Sequence, residues 1–368
     1  MTSPTLTVYG SKVSYFTGKL EGYLRYKEIP YRYQAMTDEY FNRIIPEKTG
    51  ARQMPAVEFA DGRWATDSTP LIDWLEGEYT HSSIMPADPQ QAFICRLIED
   101  YGDEWLWRPA MHYRWSYYQG RQLLGIILTE ELLGNVRAPA WLKRWQIRRR
   151  QRRHFVVEDG VTAATRAHVE QGYSNILALM EAILATRPFI FGDKPTLADI
   201  GLFGPMFRHF SQDPDPAEIM RQTAPGVFAW VGRMWNARAS QISGELVAGI
   251  PEDILPLLKE IGDTHLQNLV ANAQAWGEQQ KRYKVVLQGT RYADLPVSRY
   301  RCWCLEQLQH HFKQLPPQAS EATRQLLEAN RCWEPLWQVP EPGSRYDPEK
   351  NAPFAPGLTV YTVPGGAI

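Results

Sequence analysis

Asp67 and Ser68 place a carboxylate and a hydroxyl side by side where Asp67-Ser68-Thr69-Pro70 leads into the apolar positions Leu71, Ile72 and Leu75. The pattern predicts a helix N-terminus, whose first backbone N–H groups lack intrahelical partners and favour negative charge. Ser68 with those N–H groups could take a carboxylate and Asp67 an ammonium, which together would grip the zwitterionic head group of an amino acid. Just upstream, Gln53-Met54-Pro55 precedes Val57 and Phe59, which alternate as a strand, with Asp61-Gly62 as a hairpin turn. Proline holds Met54 extended and permits a cis bond, which would offer the Met54 backbone to an extended peptide ligand in place of a sheet neighbour. An ordinary hairpin feeding a capped helix fits the same residues.

The elements that must position these groups fall into three sections. Residues 1–82 alternate short strands and helices: Leu6 to Tyr9, a helix through Leu20, Tyr23 and Leu24, Tyr31 to Gln34, the hairpin and the Leu71 helix, a βαβ unit followed by ββα. Residues 88–245 repeat apolar side chains at helical spacing, among them Phe93, Leu97, Tyr101 and Trp105, then Val169, Tyr173, Ile176 and Met180. Residues 246–368 predict further helices near Asp253 to Gln279, Ser298 to Leu315 and Glu321 to Ala329, a strand at Tyr283 to Leu287, and a proline-rich irregular tail. Thr196 and Asp199 have capping-box spacing ahead of Ile200, Leu202 and Phe203, a structural role at the start of a buried helix.

Whole-chain properties narrow the classes. A formal net charge of -1 gives no global attraction to nucleic acid or to an anionic membrane. No apolar run approaches the length of a membrane span, and the N-terminal residues lack a signal-peptide pattern, so a cytoplasmic protein is expected. Cys95, Cys302, Cys304 and Cys332 are too few and too irregularly spaced for a disulfide framework. Cys302-Trp303-Cys304 and His310-His311 make only a weak metal motif, and the acidic run Glu99, Asp100, Asp103 and Glu104 reads as non-convergent, so no metal is expected.

The segment from Gln53 to Glu76 resembles the second half of the thioredoxin-like domain of the glutathione transferase superfamily. Leu6 to Gln34 resembles that family's first strand, catalytic loop, first helix and second strand, and Phe189 to Phe207 resembles a segment of its helical domain. The resemblance implies a thioredoxin-like βαβ-ββα domain, an all-α helical-bundle domain and, beyond the family's two-domain unit, a mostly helical C-terminal extension. It implies glutathione as co-substrate, held by Gln53, Met54, Pro55, Asp67 and Ser68, an electrophilic small molecule as second substrate, and a homodimer. No nucleic acid and no integral membrane association are expected.

The family's chemistry is activation of a thiol. A free thiol titrates near ~8.5, so about 3% is thiolate at neutral pH; a pKa of ~6.5 raises that to about 75%, roughly a 25-fold gain. Counting back from Lys27-Glu28-Ile29-Pro30-Tyr31, which resembles a family boundary motif, places Ser14 at the catalytic position of serine-type members and Tyr9 near that of tyrosine-type members. Ser14 ranks first, Tyr9 second and Tyr15 third. Phe16 stands where some members carry cysteine, so cysteine-type thiol exchange is not expected. The alternative for Ser14 is a helix cap alone, and for Tyr9 a packed aromatic.

For the second substrate, Ile98 to Tyr118 combines aromatic and charged residues, and Trp105, Arg108, His112 and Tyr113 are the expected pocket, with Trp107, Arg114, Trp115 and Tyr118 beside them. A packed aromatic stripe with local ion pairs is the alternative. The basic run Trp141 to Phe155, with a basic face beside a narrow aromatic one, could meet a membrane surface, RNA or an acidic partner; the favoured reading is a solvated insertion whose arginines pair with the chain's own carboxylates. The functional expectation is attack of a glutathione thiolate on an electrophile; the alternative is a non-catalytic scaffold that uses the extension and the basic run as partner surfaces.

Overall fold

The structure, a computed structural model, describes residues 6–346. The chain begins with β1 (Leu6–Gly10), α1 (Tyr15–Tyr26), β2 (Tyr31–Ala35), a π-helical turn at Tyr40–Ile44, α2 (Ile45–Thr49), β3 (Ala56–Phe59), β4 (Trp64–Thr66) and α3 (Ser68–Glu78). The sheet order is β2-β1-β3-β4, with β1 parallel to β2 and antiparallel to β3, and β3 antiparallel to β4. Val8 on β1 faces Tyr33 on one side and Val57 on the other, and both valines are fully buried. The Asp61-Gly62 turn forms as the sequence predicts: Gly62 takes φ 85° and Asp61 accepts from the Arg63 N–H at 3.1 Å. The Met54–Pro55 peptide bond is cis.

A helical body follows: α4 (Pro89–Asp100), α5 (Trp107–Ser116), α6 (Tyr118–Leu133), α7 (Ala140–Arg152), α8 (Arg166–Leu184), α9 (Leu197–Pro205), α10 (Pro214–Thr223) and α11 (Pro225–Asn236). The predicted capping box opens α9, and the Asp199 carboxylate does more than cap. It accepts from the Thr196 N–H at 3.0 Å, the Ile190 N–H at 2.9 Å and the Trp230 indole at 3.1 Å, so one buried group ties the start of α9 to its preceding loop and to α11. Burial pushes its pKa up to about 6 against these hydrogen bonds. Helices α4 and α9 touch through glycine: a Cβ on Gly201 would stand 2.5 Å from the Glu99 Cα.

Between α4 and α5 the helix passes through a π-helical turn, Tyr101–Trp105. Such a turn inserts one residue into the helical register and advances every later side chain by about 100°. This displacement matters for the site below.

The rest of the described chain comprises α12 (Leu255–Asp263), α13 (His265–Gly277), β5 (Arg282–Leu287), β6 (Thr290–Pro296), α14 (Arg299–Lys313), α15 (Pro317–Ala329) and α16 (Trp333–Trp337). The single helical stretch expected from Asp253 to Gln279 is broken at Thr264, whose backbone leaves the helical region and whose hydroxyl donates to the Glu260 carbonyl. The strand expected at Tyr283 has a partner the sequence reading lacked. Gln288 and Gly289 both take positive φ, 47° and 81°, and close a two-residue hairpin. The proline-rich tail, from residue 347 onward, lies outside the described residues.

These later elements pack onto the helical body. Phe312 of α14 meets Phe93 of α4 edge-to-face at 5.5 Å, His265 of α13 contacts the Asp100 carboxylate at 2.6 Å, and Arg187 pairs with Asp253 through two contacts of 2.7 Å.

Candidate functional site

A cavity of about 380 Å³ opens where the end of β1, the first turn of α1, the loop before β3 and the start of α3 meet the helical body and the β6–α14 junction. Ser14 lies on its wall as the N-cap of α1, its Oγ accepting from the Thr17 N–H at 3.4 Å. A hydroxyl that accepts at its oxygen keeps its own hydrogen to donate, so capping and thiolate stabilisation are compatible in one side chain. Gln53, Met54, Pro55, Asp67 and Ser68 line the same cavity. Sequence-distant parts of the expected peptide site therefore face one space, Ser14 from the first loop and Asp67-Ser68 from the third helix.

The tyrosines separate. Tyr9 is absent from the cavity wall: its hydroxyl donates to Glu58 at 2.8 Å, and its ring stacks on Trp64 at 4.9 Å and against Tyr40 at 4.7 Å. Burial and the Glu58 carboxylate raise its pKa. Tyr15 does line the cavity, yet its hydroxyl donates to the Gly102 carbonyl and burial raises its pKa well above the ordinary value. Both phenols are committed to protein acceptors.

Asp67 takes φ 72°, a left-handed conformation that turns its side chain under the start of α3. Its Oδ1 accepts from the Tyr300 hydroxyl of α14 at 3.1 Å, while Oδ2 is enclosed without a hydrogen-bond partner among the described residues. Burial pushes the Asp67 pKa up to about 6, opposed by the Tyr300 bond and by Lys19.

Below it lies a buried charge cluster that the sequence reading missed. Glu99 and Asp103, one helical turn apart, converge on the Lys19 ammonium, and Thr69 joins them at 3.0 Å from that nitrogen. The expected non-convergence of this acidic run is thus corrected: Glu99 and Asp103, four residues apart, share one helix face and meet over Lys19. Burial pulls the Lys19 pKa down, but Asp103 and Glu99 outweigh it and leave the ammonium firmly charged. Asp103 keeps one oxygen, Oδ1, without a partner among the described residues and lines the cavity beside Glu104. Burial pushes Glu104 up to about 7, against Arg301 at 3.6 Å.

The second-substrate residues need correction. Trp105, Arg108, His112 and Tyr113 do not line the cavity; Trp107, Met111 and Arg114 do. The extra residue of the π-helical turn rotates α5, so the stripe at 107, 111 and 114 faces inward. Arg108 instead contacts Asp159, donating to its carbonyl at 2.9 Å, and sits over the rings of Trp105 and Tyr292. His112 pairs with Glu170 at 2.9 Å, Tyr113 stacks on Tyr117, Trp115 is buried, and Tyr118 is exposed to solvent. Arg114 is no free anion receptor: it is bound to both Asp213 oxygens at 2.7 and 2.9 Å and donates to the Val13 carbonyl at 2.7 Å. It thereby holds the loop that carries Ser14.

Other lining residues gave no sequence signal for a site. Phe16 stacks on Trp107 at 5.8 Å, and His209, held neutral by burial and by Arg114, presents ring nitrogens without hydrogen bonds to described residues. Arg150, Gln151 and His154 come from the inner face of α7 and the turn after it. Pro296, Val297, Ser298, Tyr300 and Arg301 come from the β6–α14 junction. The only local cue was Ser298 ahead of an apolar helix pattern, where it caps α14 by accepting from Arg301. Among the described residues no group of three or more His, Cys, Asp or Glu side chains has the geometry to hold a metal ion, and the four cysteines are buried away from the cavity wall.

The basic run also differs from expectation. Among the described residues, Arg153 alone of the lysines and arginines between Trp141 and Phe155 has a carboxylate within ion-pair reach, Glu158 at 3.5 Å. The described acidic groups do not neutralise this helix.

Two family models match parts of this architecture. The N-terminal domain model of the glutathione S-transferases matches residues 8–83, and their C-terminal domain model matches residues 163–233. Neither reaches the elements from α12 onward. Among solved structures, the β-etherase LigF from Sphingobium sp. strain SYK-6 is 20% identical, with a TM-score of 0.44 over 62% of this chain and 94% of that one. A glutathione S-transferase from Rhodospirillum rubrum F11 is 18% identical, TM-score 0.41, over 67% and 96%. One from Methylobacterium radiotolerans, in complex with glutathione sulfonate, is 18% identical, TM-score 0.40, over 66% and 99%. No curated protein sequence matches the chain.

Proposed function

The chain belongs to the glutathione transferase superfamily, and from that premise we propose that it binds glutathione and activates its thiol for attack on an electrophilic small molecule. The observation that carries this reading is the meeting of Ser14 with Gln53–Pro55 and Asp67-Ser68 around one cavity. Ser68 and the first N–H groups of α3 receive a ligand carboxylate, where hydroxyl donor and helix dipole act together. The unpartnered Asp67 Oδ2 receives the ammonium. Ser14, at the N-terminus of α1, donates to the sulfur and favours its thiolate form.

The electrophile occupies the side of the cavity walled by Phe16, Trp107, Met111 and Phe155, an apolar surface that suits an aromatic or otherwise apolar group. Tyr300 and Arg301 close the acidic side, and Tyr300 steadies the Asp67 carboxylate that the ligand must find ionised. The homodimer and the cytoplasmic location implied by the family belong to the same proposal; sedimentation of the full chain tests the first.

Calorimetry with glutathione tests the central claim. Ser68→Ala removes one charge-assisted hydrogen bond and should weaken binding by roughly 1.5–3 kcal/mol while the unfolding temperature barely moves. Unchanged affinity would remove the proposed peptide site. No detectable binding by the unmodified protein would favour the scaffold alternative.

A further inference from the structure

Apart from Phe228 and Val286, every exposed large hydrophobic side chain among the described residues lies between Tyr118 and Val157. The centre of this patch is α7, where Trp141 is 70% and Trp145 52% exposed, flanked by Leu142 and, from the preceding loop, Val136. At the helical period Trp141, Trp145, Arg149 and Arg152 fall on one stripe about 80° wide and roughly 16 Å long. All four are exposed. The stripe is therefore apolar at its beginning and cationic at its end. Arg149 stands over the Trp145 ring at 5.1 Å. Arg148, held below its ordinary pKa by burial and by the crowding of Arg121 and Arg144, shows how densely positive the α6–α7 face is. Among the described residues only Arg153 finds a carboxylate, so the described carboxylates leave most of this charge uncompensated.

We propose that the outer face of the α6–α7 pair is a docking surface for an anionic lipid bilayer. Indole rings concentrate at the boundary between headgroups and acyl chains, and arginines beside them meet lipid phosphates, which is the chemistry of a peripheral helix lying in the interface plane. The aliphatic Leu142 next to Trp141 gains from shallow insertion and would gain nothing from stacking on nucleobases. A second copy of this chain docking by the same face would add its own arginines to a surface whose positive charge meets a carboxylate only at Arg153 among the described residues. No described helix is long and apolar enough to cross a membrane, so the contact is one of surface docking. The inner face of α7, through Arg150 and Gln151, lines the cavity with His154 of the following turn, whereas the docking stripe lies outside it.

The test is co-sedimentation of the full chain with vesicles of phosphatidylcholine alone or with phosphatidylglycerol added. Binding should require the anionic lipid and weaken with salt, since each arginine near such a surface contributes roughly fivefold in partition. Arg149→Glu with Arg152→Glu, and separately Trp141→Ser with Trp145→Ser, should each lower partition at least about tenfold, with unfolding temperature and glutathione calorimetry unchanged. Failure to sediment with anionic vesicles, or equal binding to neutral ones, would overturn the proposal. So would complete displacement from vesicles by single-stranded RNA at equal phosphate, or tryptophan substitutions that dissociate a dimer while leaving vesicle binding intact.

Discussion

At the residue scale the division of labour turns on where each hydroxyl points. Tyr9 and Tyr15 give theirs to Glu58 and to the Gly102 carbonyl, whereas Ser14 faces the cavity and accepts only a capping N–H. Ser14→Ala should raise the pKa of bound glutathione, read as an alkaline shift of thiolate absorbance, and Tyr9→Phe should leave it in place. A shift with Tyr9→Phe and none with Ser14→Ala would reverse the assignment. Asp67 carries a pH prediction. Its pKa of about 6 lies above the ordinary carboxyl value of 3.8, so in that window the folded protein holds a proton that the unfolded chain has released. Its contribution to stability is therefore present at low pH and lost as pH rises through about 6. Ligand binding runs the other way, because an ammonium needs the ionised carboxylate. Glutathione affinity should fall as pH drops from about 7 to about 5, a range in which the ligand's own amino and carboxyl groups hardly titrate. Asp67→Asn should bind more weakly at neutral pH and lose most of this dependence; a variant with an unaltered pH profile would exclude Asp67 as the source.

At the element scale, two close fits determine the shape of the site. The π-helical turn after α4, which carries Asp103 to its place beside Lys19, turns Trp107, Met111 and Arg114 inward. Its partner is the glycine contact between α4 and α9. Gly201→Ala would drive a Cβ to within 2.5 Å of the Glu99 backbone, which rotamer changes cannot relieve. The helices must separate, at a cost of about 1–3 kcal/mol, and Glu99 must move relative to Lys19. Chemical denaturation should show the loss, accompanied by weaker glutathione binding because Lys19 is hydrogen-bonded to Thr69 in the first turn of α3. An alanine variant of full stability would mean that the two helices have slack that the structure does not contain.

At the scale of the whole molecule, the elements from α12 onward are proposed to form one cooperative unit with the family's two domains. They cover Phe93, pair with Asp100 and supply a wall of the cavity from Pro296 to Arg301. A chain ending near residue 245 would expose the apolar side of α4 and leave Asp100 without His265. It should unfold at lower denaturant concentration than the full chain and bind glutathione with a less protected Asp67. A truncated protein of equal stability and activity, or proteolysis that releases these elements cleanly, would show them to be a separate module.

The amino-acid sequence by itself determined the elements whose causes are local. The hairpin follows from Asp61-Gly62, the start of α9 from Thr196 and Asp199, the cap of α1 from Ser14, and the βαβ-ββα order from alternation and periodicity in the first section. The Asp67-Ser68 junction was legible for the same reason, since a helix start and its neighbouring polar groups are set within a few residues. The cavity-facing stripe was not legible, because a single inserted residue in a π-helical turn changes a helix phase without any fixed sequence mark. The spacing of Glu99 and Asp103 puts them on one helix face, but the cation they meet, Lys19, lies 80 and 84 residues away, and no local pattern supplies it. Likewise the break at Thr264 and the β6 strand arise from packing against neighbouring elements, which overrides weak local preference. The contact of Tyr300 with Asp67 was decided by tertiary structure alone: 233 residues separate them, and no local rule links a hydroxyl on one helix to a carboxylate at the start of another.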